Sequence, residues 1–60
     1  MTTPDWLSAG RVVVDPDGER WRIREVGPVE VELGHPERGA HTLRTRDLVA
    51  WVEDGDWERG

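Results

Sequence analysis

The sequence predicts an all-β fold: a small barrel of four to five antiparallel strands with one short helical turn. Three observations carry this. From Arg11 onward, apolar and polar residues alternate with a period of two. The alternating apolar residues are mainly Val, Ile, Leu and Trp, most of them types that suit a pleated, half-buried surface. Turn-forming residues punctuate the alternation at Asp17-Gly18, Gly27-Pro28 and the run from Gly34 to Gly39.

The composition bounds what such a fold can be. Sixty residues allow one domain, and a chain this short buries a thin core. There is no cysteine, which excludes disulfides, thiolate metal sites and a Cys nucleophile. No apolar run approaches the roughly 20 residues that cross a bilayer, so the expected setting is cytoplasmic, without a membrane. Thirteen carboxylates against eight basic residues give a net charge of −5. Every basic residue is Arg, and Lys, Asn, Gln, Phe and Tyr are absent, a usage similar to that of GC-rich actinobacteria and their phages. An apolar content of 35% is low, but its concentration in alternating Val and in four Trp argues against disorder.

The organisation reads as an irregular lead-in over 1–10, a small barrel over 11–52 and an acidic tail over 53–60. In the lead-in, Thr3 is placed to cap a single turn with Pro4 at its first position, and Trp6 or Leu7 plugs one end of the core. Arg11 to Asp15 is the first strand. Arg20 to Val26 is the second, with Trp21 and Ile23 on one face and Arg22 and Arg24 on the other. Val29 to Leu33 is the third and His41 to Thr45 the fourth. Asp47 starts one tight helical turn, after which Leu48 to Val52 is apolar enough to form a fifth strand. The tail from Glu53 is expected to fray.

Registers follow from requiring one apolar face, because a slip of one residue turns every side chain over. A two-residue Asp17-Gly18 turn pairs Val14 with Trp21 and Val12 with Ile23. A three-residue connection from Val26 to Pro28 pairs Ile23 with Val31 and Trp21 with Leu33. Leu33 then pairs with Leu43. The same registers lay two charged rows on the outer face, Arg22–Glu32–Arg44 and Arg24–Glu30–Arg46. They also place His35 opposite His41.

An open sheet edge invites aggregation, so closure is expected, with the last strand returning beside the first. The core is then Val12, Val14, Trp21, Ile23, Val31, Leu33, Leu43, Leu48 and one further Trp. The order of elements between Gly10 and Val52 resembles the Src-homology-3-like small barrels, including the KOW and Tudor-like modules. The residues that carry the resemblance are Gly10-Arg-Val-Val-Val-Asp-Pro-Asp-Gly-Glu19, Trp21-Arg-Ile-Arg-Glu-Val26 and Arg46-Asp-Leu-Val49. The second strand lacks the glycine of a KOW signature, and the Tyr cluster of proline-peptide binders is missing, so the resemblance implies a fold and leaves activity open.

Catalysis needs a nucleophile or an acid–base pair held in a cleft. Ser8 lies in the lead-in and Thr42 and Thr45 are strand residues, so the chain reads as non-enzymatic. His35 and His41, with Glu37 between them, match no standard helical zinc motif, and no metal or cofactor is expected. Four Trp are the most informative excess, since Trp is enriched at binding hot spots. Trp6 and Trp57 either close the barrel ends as lids or stand exposed. The expected function is docking of a protein partner through Trp57 and Trp51, with Asp54, Asp56 and Glu58 giving charge complementarity. Self-association through the last strand or the termini is a variant. A second class is nucleic-acid binding on Arg22, Arg24, Arg44 and Arg46, opposed by the net charge. A third is an acidic DNA mimic built on the tail.

Overall fold

A computed structural model describes residues 4–60. Its order is β1 (Val12–Val14), β2 (Arg20–Val26), β3 (Glu30–His35), β4 (Gly39–Arg44), α1 (Thr45–Glu53) and β5 (Glu58–Arg59). The strands form one antiparallel sheet in the order β4-β3-β2-β1-β5, with α1 as the one helix among the described residues. The last strand does return beside the first. β4 and β5 are the two edges and are not paired with each other, so the sheet is open. Among the described residues, no helix is long and apolar enough to cross a membrane.

The inner faces of β2 and β3 are those the alternation predicts: Trp21, Ile23, Val31 and Leu33 are buried. Leu7, Val13 and Leu48 complete the core, and Trp6, Val26, Leu43, Val49, Val52 and Trp57 pack around it half-buried. Leu7 is the residue with which the lead-in plugs the core. The cap expected from Thr3 lies outside the described residues.

β1 corrects the expectation. Val13 faces the core, 1% exposed, while Val12 and Val14 are only half-buried. The pairs are Val12 with Arg22, Val13 with Trp21 and Val14 with Arg20. The turn holds three residues rather than two: Asp15 N–H donates to the Glu19 carbonyl at 2.9 Å and Gly18 closes with φ +86°. Three-residue hairpin loops place a left-handed residue last, where glycine carries no Cβ penalty. One extra loop residue reverses which valines point inward.

The β2–β3 junction keeps the predicted faces by a different device. Its loop has two residues, Pro28 and Val29, with Gly27 N–H bonded to the Glu30 carbonyl at 2.8 Å. This loop pairs Val26 with Val31 and Glu25 with Glu32. Continued unbroken, that register would set Ile23 opposite Gly34. A bulge at Arg24 restores the phase, so Ile23 pairs with Leu33 and Arg22 with Gly34. The β3–β4 register likewise lies two residues from the expected one, with Val31 opposite Leu43, Glu30 opposite Arg44 and Leu33 opposite His41. The two charged rows therefore do not form. Arg24 and Glu32, at 3.7 Å, are the one Arg–Glu pair on that face among the described residues.

The second correction is α1, which replaces both the single turn at Asp47 and the expected fifth strand over 48–52. A short apolar run fits either period. Here Leu48 and Val52, four apart, with Val49 beside them, make a helical stripe that the sheet's inner face needs as its cover. Asp47 lies in the first turn, favourable to the helix dipole. Gly55, φ +88°, ends the helix just past Asp54, donating to the Val52 carbonyl. Thr45 clasps α1 to the β2–β3 turn: its N–H donates to the Val29 carbonyl at 2.9 Å and its hydroxyl to the Gly27 carbonyl at 3.1 Å.

Candidate docking site and its polar supports

The end of α1 builds the site. After Gly55 the chain doubles back, and Trp57 N–H donates to the Trp51 carbonyl at 3.1 Å. The two indoles stack, ring centroids 5.8 Å apart and planes 18° apart. Both are half-buried, and Trp57 packs on the core cluster. Trp57 is thus not the free anchor the sequence suggests; it is a lid over the core whose other face meets Trp51. The segment expected to fray is tied down, since Glu58 and Arg59 pair with β1 and Gly60 N–H donates to the Val12 carbonyl at 2.8 Å. The stacked indoles are half-buried, and the acidic residues next to them in the chain, Glu53, Asp54, Asp56 and Glu58, are exposed.

The four candidate arginines fall into two separate groups. Arg22 and Arg24 flank Gly34 in a hollow shared with His35 and Pro36. The Arg24 stem lies across Gly34, where a Cβ would sit 2.7 Å from Arg24 Cδ. Arg44 and Arg46 line a different hollow with Pro28, Val29 and Glu30. Among the described residues only Arg24 of these four has an ion-pair partner.

One polar network escapes the sequence reading. The Asp15 carboxylate accepts the N–H groups of Asp17 and Glu19 at Oδ1 (2.9 and 2.8 Å) and the Trp21 indole N–H at Oδ2 (3.1 Å). Burial pushes this carboxyl up, but the Trp21, Glu19 and Asp17 donors and the Arg38 charge outweigh it, and hold it below its ordinary value of 3.8. His35 Nδ1 accepts the N–H groups of Glu37 and Arg38 at 3.0 and 3.1 Å, so its proton sits on Nε2, which donates to Glu19 at 3.1 Å. That contact is a hydrogen bond from a neutral ring rather than an ion pair. Glu19 also accepts from Arg38 at 3.2 Å. The signal for this network was an Asp before Pro-Asp-Gly and a His before Pro-Glu-Arg-Gly, both able to bond the backbone of the turn they open.

His35 and His41 are not cross-strand partners of each other; His35 pairs with Gly39 and His41 with Leu33. Both imidazoles instead contact Trp21, with centroids at 5.0 and 4.9 Å. With both nitrogens of His35 engaged, the ring offers no lone pair to a metal. Among the described residues no group of three metal-ligating side chains occurs. No family model, curated protein or solved structure matches this chain significantly.

Proposed function

We propose that the chain is a non-enzymatic protein-interaction module that docks a partner on the stacked Trp51–Trp57 pair. The carboxylates of Asp54, Asp56 and Glu58, next to it in the chain, steer a basic surface onto it. The observation that carries the reading is the stack itself, half-buried, with exposed acids beside it in the sequence. Trp supplies large contact area at little entropic cost. The Src-homology-3-like small barrel remains the proposed fold relationship, supported by β5 beside β1 and a short helix between β4 and β5.

Trp51 is the residue to test, because truncating Trp57 also uncaps the core. A partner captured with the wild type is titrated against Trp51→Ala and against Asp54→Asn combined with Asp56→Asn. Trp51→Ala is expected to weaken binding by about tenfold or more, and the double amide to slow association and to reduce its dependence on salt. Equal affinity of Trp51→Ala and wild type would refute the reading.

A second reading, nucleic-acid binding, is favoured by Arg22, Arg44 and Arg46 having no ion-pair partner among the described residues. Its signature is an affinity for nucleic acid that falls steeply with salt and is lost in Arg22→Glu. A flat salt response rejects it.

A further inference from the structure

The β1–β2 and β3–β4 turns share one design in two chemistries. Asp15 opens the first and accepts the N–H groups of Asp17 and Glu19 on Oδ1. His35 opens the second and accepts those of Glu37 and Arg38 on Nδ1, at 3.0 and 3.1 Å. The Asp15 carboxyl, held below its ordinary value of 3.8, stays an acceptor through mild acid. An imidazole accepts only while neutral, because its second proton occupies the accepting nitrogen. Histidine is also the side chain whose charge ordinarily changes between about pH 5 and about pH 8.

The surroundings decide what gives way when the ring takes that proton. The His35 side chain is 7% exposed, enclosed rather than free to swing into water. A hydrogen on Nδ1 would point at two N–H donors, with no acceptor among the three groups. On its other side the ring donates from Nε2 to Glu19 Oε2 at 3.1 Å. Charging the ring turns that contact into an ion pair, which is stronger and keeps the ring in place. Glu37 and Arg38 are exposed, so their N–H groups find water once the turn opens. The other charged groups near the ring are the Arg38 guanidinium, which shares Glu19 through Oε1, and Glu37. Arg22 and Arg24 of β2 line the adjacent hollow. Asp15 and His41 both contact Trp21, whose ring lies 5.0 Å from that of His35. We infer that His35 is a proton-operated latch: a proton gained at Nδ1 releases the turn over 36–38, while the ring stays on Glu19. The loop between β3 and β4 is then ordered at neutral pH and loose in mild acid. The device uses none of the residues of the Trp51–Trp57 pair.

Nitrogen-15 spectra of the whole chain between about pH 8 and about pH 5 follow the His35 ring and the backbone amides in one sample. Amide protection is referred to the intrinsic exchange rate at each pH. For Glu37 and Arg38 it is expected to fall by about tenfold in step with protonation of the His35 ring. The Asp17 and Glu19 amides, bonded to Asp15, stay protected over the same range. His35→Asn puts a side-chain oxygen where Nδ1 accepts and takes up no proton, so its turn stays closed. His41→Asn removes the other imidazole on Trp21 and releases as the wild type does. Turn amides that ignore the charge on the ring overturn the proposal, as does release that persists in His35→Asn or disappears in His41→Asn. Equal loosening at Asp17 and Glu19, or a ring that charges only as the whole chain unfolds, also overturns it. The wild type and His41→Asn decide the matter even where His35→Asn fails to fold.

Discussion

Asp15 and His35 each close a turn with one side chain. Asp15 binds two backbone N–H groups of its own loop and the indole of Trp21, so it couples the β1–β2 turn to the core. Asp15→Asn presents an amide N–H where a donor must be accepted, and is expected to cost about 1–3 kcal/mol of unfolding free energy. The pH dependence follows from the lowered native value of this carboxyl. The unfolded state binds the proton more readily, so the contribution of Asp15 is complete above the ordinary value of 3.8 and is lost as pH falls through the lower native one. Chemical denaturation of wild type and Asp15→Asn should therefore converge in strong acid; a gap that stays constant there would contradict the assignment. For His35, nitrogen-15 spectra at neutral pH are expected to show the Nε2–H tautomer, because Nδ1 accepts two backbone donors.

Gly27, just past the end of β2, and Gly34, within β3, separate two kinds of constraint. A Cβ on Gly27 would lie 2.9 Å from the Glu30 carbonyl oxygen, which belongs to the backbone and cannot yield without breaking the turn. A Cβ on Gly34 meets the methylenes of Arg24, a solvent-facing side chain free to swing away. Gly27→Ala is expected to lower Tm by several degrees, about 4–8 °C for each kcal/mol in a domain this size. Gly34→Ala should cost less and release Arg24 from Glu32; equal losses in thermal melts would contradict this ordering. The same elements show what the sequence made legible. Period-two alternation identified the inner faces of β2 and β3, because burial of Ile23, Val31 and Leu33 is decided by parity alone. Parity cannot distinguish registers two residues apart, so the charged rows drawn from it were wrong. It also cannot count loop residues: a third residue in one turn reversed β1, and a bulge at Arg24 compensated the even loop at Pro28-Val29. The run from Leu48 to Val52 is ambiguous by itself. It became helical because the sheet's open inner face needed a cover, a tertiary demand invisible in five residues.

At the scale of the molecule, stability depends on a thin core closed from both ends of the sequence, by Leu7 on one side and Trp57 on the other. Removing residues 57–60 deletes β5 and uncovers the core beside α1. That truncation is expected to abolish cooperative unfolding, or to lower Tm more than either glycine variant, because small domains have only about 5 kcal/mol or so to lose. Calorimetry decides it, and an unchanged melt would mean that β5 is an ornament. Trp51 and Trp57 were legible as prominent residues, and the fold stacks their rings. Their arrangement was not legible, because the helix and the Gly55 reversal that bring the two indoles together arise from the fold as a whole. The stack has a consequence of its own. Two indoles with centroids 5.8 Å apart are close enough for their electronic transitions to couple, and a dichroic signal of the stacked pair is the expected outcome. Its amplitude is an optical gauge built into the chain, bright while the segment after α1 stays folded back and dark once it lets go.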